Sequence, residues 1–149
     1  MHPRADQPHM PVAGHHWLLD FSGCDCALEL LARSSTLEQQ CLQACQQAGL
    51  NVVGKLFHQF HPDGVTGVVL LAESHLSVHT WPNERFVAVD VYVCNHGADN
   101  LAKGQMLAER MVALFQPGET VRRELPRQSV RALAMAPRVH ETTKSKVGG

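Results

Sequence analysis

The stretch Gly64–Cys94 reads GVTGVVLLAESHLSVHTWPNERFVAVDVYVC, and its patterning decides the fold. The last nine residues alternate. Val87, Val89, Val91 and Val93 share one face of a strand, and Phe86, Ala88, Asp90, Tyr92 and Cys94 share the other. The valine face suits packing against helices. The second face is too mixed for a core and too apolar for bare solvent, so it either lines a site or meets another subunit. Upstream, Val65–Ala72 and Leu76–Thr80 read as two more strands, and Trp81-Pro82-Asn83-Glu84 interrupts the pattern.

Outward from this core, Trp17–Phe21 reads as a strand that runs into a Ser-Gly-Cys-Asp turn at 22–25. Cys26–Ala32 has the character of a short helical segment. Ser35 with Glu38 three residues later is a capping-box signature. The helix it opens carries Leu37, Cys41, Ala44, Cys45 and Ala48 on one face, and Gly49 can end it. Val52–Phe60 is a strand, His61-Pro62-Asp63-Gly64 a turn, Leu101–Phe115 a helix by spacing, and Thr120–Leu125 a last strand. The order predicts an α+β domain, a largely antiparallel sheet with helices on one face. We expect the domain to span 15–126, between an N-terminal tail at 1–14 without fixed structure and a flexible C-terminal tail at 127–149.

Composition narrows the function classes. The chain has 149 residues, enough for one domain with its own core. Lys and Arg total 13 against 14 Asp and Glu, a formal net charge of -1, which makes no electrostatic case for nucleic acid or an acidic membrane surface. No apolar run reaches the length of a bilayer span, and MHPRADQPHMPVAG lacks the apolar core of a secretory signal. The expected compartment is the cytoplasm, with reduced thiols. Five cysteines, an odd number, argue against a closed disulfide framework. Cys24, Cys26, Cys41 and Cys45, with the His-rich N-terminus, define an alternative reading as a thiolate metal-binding module, although their spacing is not a common zinc pattern.

The polar residues of the central stretch carry the candidate chemistry. Ser74, His75, Ser77, His79 and Cys94 supply a hydroxyl nucleophile, bases and a thiol acid. The pattern Gly-x-Ser-x-Gly is absent, because Ser74 sits in Ala-Glu-Ser-His. The same residues would also serve as polar positions on a half-solvated sheet. Ser74 and His79 lie five positions apart, an odd offset that puts them on opposite faces of a regular strand. They meet within one chain only if the strand bends or starts after Ser74. Otherwise each serves a copy in a partner chain.

The run Gly64–Cys94 resembles the short bacterial and archaeal S-adenosylmethionine decarboxylases, whose pattern is close to G-V-S-G-V-V-x-x-x-E-S-H-L-S-I-H-T-W-P-E followed, after a spacer, by A-x-V-D-V-F-x-C. Leu18–Asp25 and Phe57-His58-Gln59-Phe60 also look like the family. The resemblance implies that Ser74 Oγ attacks the carbonyl carbon of Glu73, that the chain splits between 73 and 74, and that residue 74 becomes a pyruvoyl group. That group would form a Schiff base with the substrate amine and act as the electron sink for decarboxylation, with neither pyridoxal phosphate nor a metal. By the same resemblance His79 assists processing by proton transfer, and Thr66 stands where a processing serine is usual. Cys94 is the proton donor to the product carbon, and Phe60 stacks on the adenine. The resemblance further implies a homodimer of processed αβ protomers with facing sheets and shared active sites, working in spermidine synthesis.

Three positions depart from the pattern. Asn83 replaces the glutamate that binds the ribose hydroxyls, with Glu84 next to it. Cys26 replaces a common proline, and Asn95 a common glycine. The change at Asn83 leaves pyruvoyl-dependent ornithine or arginine decarboxylation as the alternative activity.

Overall fold

The computed structural model describes residues 13–95 and 98–128. Six strands form one antiparallel sheet: β1 (Gly14–Ser22), β2 (Val52–Gln59), β3 (Val65–Leu71), β4 (Ser74–Trp81), β5 (Phe86–Cys94) and β6 (Glu119–Arg127). Three helices, α1 (Leu28–Ala32), α2 (Ser34–Gln47) and α3 (Leu101–Phe115), pack on one face of it. The sheet order is β2-β3-β4-β5-β1-β6. β5 and β6 both run antiparallel to β1 and flank it, so α3 carries the chain across β1 between them. The expected α+β architecture is the observed one. Parts of the two expected tails, residues 1–12 and 129–149, lie outside the described residues, as does most of the His-rich segment.

The helix-covered face is the core. Val87, Val89, Val91 and Val93 are fully buried with Trp17, Leu19, Phe21, Leu76 and Val78, against Leu37, Cys41, Cys45, Leu107, Met111 and Phe115 from the helices. Each buried valine contributes about 1.5 kcal/mol or more of transfer free energy. Gly104 sets how closely α3 approaches. A Cβ there would come within 2.5 Å of the Trp17 ring and 2.7 Å of Val93.

Three local expectations change. The capping box at Ser35 and Glu38 does not form: Ser35 lies inside α2, whose N-cap is Arg33, without a side-chain cap. Its first N–H, that of Ser34, donates instead to Gln59 Oε1 at 2.7 Å, and Glu38 is drawn away into an ion pair with Lys55. Cys26 is not helical, because Arg85 ties the carbonyls of Cys24 and Cys26 into a loop (3.3 and 2.7 Å). β4 begins at Ser74 rather than Leu76, since Ser74 already pairs with Leu71 and Val93.

Among the described residues no helix covers the other face of the sheet. It carries His16, Leu18, Thr66, Val68, His75, Ser77, His79, Ala88, Asp90 and Tyr92, all half-buried by their neighbours in the sheet. Among the described residues no helix is long and apolar enough to cross a membrane.

Candidate active site

The pairing of Leu71 with Ser74 leaves Ala72 and Glu73 as a two-residue loop between β3 and β4. Hydrogen bonds with Asn51 and Cys94 anchor this loop. Ala72 N–H donates to Asn51 O at 2.8 Å, Asn51 Nδ2 donates to the Glu73 carboxylate at 2.8 Å, and Cys94 N–H donates to the Glu73 carbonyl oxygen at 2.7 Å. The Glu73 side chain is buried, and the Asn51 backbone N–H also reaches its two carboxylate oxygens, at 3.3 and 3.2 Å.

Ser74 follows with φ 147°, a region that side chains other than glycine's rarely adopt. A backbone held there stores on the order of 1–3 kcal/mol of strain, and such strain clusters at functional positions. On a regular strand, residues 74 and 75 would point to opposite faces. Here the Ser74 hydroxyl lies 3.1 Å from His75 Nδ1. The Cys94 thiol, half-buried, belongs to the same end of the sheet.

His79 lies near the other end of β4. Its Nδ1 is 3.0 Å from Thr66 Oγ1, its partner across β3. Both line a cleft of about 380 Å³ with Phe60, Trp81, Asn83 and Glu84. Asp63 lines it too, and among the described residues no Lys or Arg does. Five residues of extended chain separate Ser74 from His79, about 17 Å along the strand. One protomer therefore gathers Glu73, Ser74 and Cys94 at one place, and Phe60, Thr66, His79, Asn83 and Glu84 at another. It does not join the two sets.

Between them runs a polar network on the uncovered face. Asp90 takes His16 Nε2 at 3.0 Å on one carboxylate oxygen and the Ser77 hydroxyl at 3.2 Å on the other. The His75 ring stands edge-on to Tyr92, with centroids 5.9 Å apart. Burial lowers the His75 pKa below the ordinary histidine value, nearby His16 lowers it further, and Asp90 opposes them.

The metal-module alternative finds no support in the thiols. Cys24, Cys26, Cys41 and Cys45 are buried among core side chains. Burial raises the pKa of all four, to about 11 for Cys24 and about 12 for Cys45. Among the described residues no group of three or more His, Cys, Asp or Glu is placed to hold a metal ion.

Sequence reasoning missed two contributors. Asn51 precedes β2 in a loop and carries no motif, and only the fold brings it to Glu73. Asp63 looked like a turn residue. His75 stands among the candidate residues of the sequence, but only the structure sets it against the Ser74 hydroxyl.

Comparisons with known proteins agree with this geometry. The family model described as S-adenosylmethionine decarboxylase matches residues 15–128. An S-adenosylmethionine decarboxylase proenzyme of Pyrococcus horikoshii is 33% identical over 114 residues, covering 76% of this chain and 81% of the relative. One of Acetivibrio thermocellus is 36% identical over 114 residues, covering 76% and 90%. The crystal structure of the adenosylmethionine decarboxylase from Aquifex aeolicus superposes with a TM-score of 0.71 at 32% identity, over 79% of this chain and 92% of that one. The chain belongs to the S-adenosylmethionine decarboxylase family.

Proposed function

We propose that this chain is a proenzyme that cleaves itself between Glu73 and Ser74 and then converts S-adenosylmethionine to its decarboxylated form and CO₂, a step toward spermidine. The observation that carries the reading is the Glu73–Ser74 junction. Its carbonyl oxygen is held by Cys94 N–H at 2.7 Å, and the adjoining serine backbone is strained at φ 147°. The hydrogen bond polarises the carbonyl and can hold the oxyanion that attack by Ser74 Oγ creates. Relief of the strain favours opening the peptide.

Attack turns the Glu73–Ser74 amide into an ester. Removal of the residue 74 Cα proton then expels the Glu73 carboxylate and leaves a dehydroalanyl residue. Its imine tautomer takes up water and loses ammonia, which gives the pyruvoyl end. His79, held by Thr66, is the base we assign to the Cα proton. The pyruvoyl group supplies an electrophilic carbonyl for the substrate's α-amine and a sink for the electrons that CO₂ leaves behind. No pyridoxal phosphate is then needed.

The chain's own residues serve the substrate. The Cys94 thiol delivers a proton to the carbon that has lost CO₂. The Phe60 ring offers a face to the adenine and to the sulfonium cation. Asn83 and Glu84 border the same cleft and are placed to take the ribose hydroxyls. Carboxylates without a Lys or Arg among the lining residues suit a positively charged substrate.

Because Ser74 and His79 lie about 17 Å apart along β4, we assign each active site to two chains. The mixed, uncovered sheet face of one protomer would meet that of its partner, and Ser74 and Cys94 of one chain would work beside the cleft of the other. Denaturing mass spectrometry tests the processing: two chains split before residue 74 are expected, and a persistent full-length mass would refute it. CO₂ release measured side by side from S-adenosylmethionine, ornithine and arginine tests the substrate, and preference for either amino acid would overturn it.

A further inference from the structure

Attack by a serine hydroxyl requires a base within hydrogen-bond reach. His79 is not that base within the protomer, since its Nδ1 is taken up by Thr66 far along β4. The nitrogen beside Ser74 Oγ is His75 Nδ1, at 3.1 Å. The positive φ of Ser74 makes this contact between strand neighbours possible. We propose that His75 is the catalytic base of the first processing step, taking the Ser74 hydroxyl proton as Oγ attacks Glu73. The proposal rests on the self-cleavage reading above.

The step balances with what the chain holds. With its proton on Nε2, neutral His75 accepts the Oγ proton at Nδ1. The Oγ–C bond forms, and the carbonyl electron pair moves to the oxygen beside Cys94 N–H. When that pair returns, the C–N bond of the old peptide breaks, and His75 hands the proton to the departing Ser74 nitrogen. The products are an ester, a free amine and neutral His75, so one imidazole serves as base and then as acid.

The surroundings suit that role. Among the described residues, His16 on β1 and Asp90 and Tyr92 on β5 are the titratable groups near the ring, and Arg127 of β6 lies over Tyr92 at 5.1 Å. Leu70, its partner on β3, is apolar. Burial and His16 outweigh Asp90 and keep the imidazole neutral near neutral pH, the form that accepts a proton.

The test follows chain cleavage by denaturing mass spectrometry after a pulse of cell-free synthesis. His75→Asn keeps a group that can accept the Ser74 hydrogen bond but removes the basicity. Cleavage should slow about 100-fold or more, and added imidazole should restore part of it. In the unmodified chain, the rate should rise with pH to a plateau whose midpoint lies below the ordinary histidine value, because protonated His75 cannot act as a base. Cleavage of the His75→Asn chain within about threefold of the parent overturns the proposal. If that variant does not fold, a parental rate that is flat from about pH 5 to about pH 8 overturns it instead. A parent that never cleaves refutes the self-processing reading, a different outcome.

Discussion

Cys94 serves Glu73 through its backbone, with the Cys94 N–H 2.7 Å from the Glu73 carbonyl oxygen. The proposed task of the thiol can therefore be tested apart from that of the N–H. In Cys94→Ala the N–H remains, so the chain should still split at close to the parental rate. CO₂ release from S-adenosylmethionine should fall about 100-fold without the thiol proton. Radiometric CO₂ capture alongside intact-chain mass spectrometry separates the two effects, and full activity in this variant would remove Cys94 from the proton-donor role.

Ser74 supplies both the hydroxyl and the strained backbone. Ser74→Ala and Ser74→Gly should each stay full-length. Only glycine relaxes φ 147°, so Ser74→Gly should unfold at higher denaturant than Ser74→Ala, by about 1 kcal/mol. Urea titration followed by tryptophan fluorescence measures the difference, and equal midpoints would mean that the strain is negligible.

Shared active sites predict complementation between two inactive chains. Alone, neither Ser74→Ala nor His79→Ala should cleave. Mixed during synthesis, they should form dimers in which an intact Ser74 on the His79→Ala chain meets an intact His79 on its partner. The His79→Ala chain, and not the Ser74→Ala chain, should then appear split on a denaturing gel. No cleavage in the mixture would assign the two residues to one chain.

The close seat of α3 on the sheet depends on Gly104 beneath Trp17. Gly104→Val should destabilise the fold by about 2 kcal/mol through overpacking. That loss should show in the urea midpoint of a Ser74→Ala background, where processing cannot complicate the reading.

The loop below Glu73 offers a separate handle. Asn51→Ala removes the 2.8 Å side-chain hydrogen bond to a buried carboxylate and should cost about 1–3 kcal/mol. It should also slow chain cleavage, because the Glu73 carbonyl is then less firmly presented to Ser74. Parental cleavage kinetics in a destabilised Asn51→Ala chain would confine Asn51 to stability.

Elements with a strong period are legible in the amino-acid pattern alone. β5 occupies Phe86–Cys94 as read, because four alternating valines admit one register. α3 occupies Leu101–Phe115 for the corresponding reason at helical spacing. Local signals with nonlocal competitors failed. Ser35 and Glu38 have capping-box spacing, but Gln59 arrives from β2 to accept the Ser34 N–H, and Lys55 draws Glu38 into an ion pair.

The sequence by itself determined the two faces of the sheet, the fold class, and the spacing along one strand that parts Ser74 from His79. These follow from side-chain periodicity, which is local. Only the tertiary structure decided that the Glu73 carbonyl rests on the N–H of Cys94, that Asn51 grips the Glu73 carboxylate, and that the Ser74 hydroxyl turns toward His75. Those contacts join residues by strand register, by a loop closing from across the fold, and by one backbone angle outside the regular strand. Neither composition nor spacing encodes any of the three.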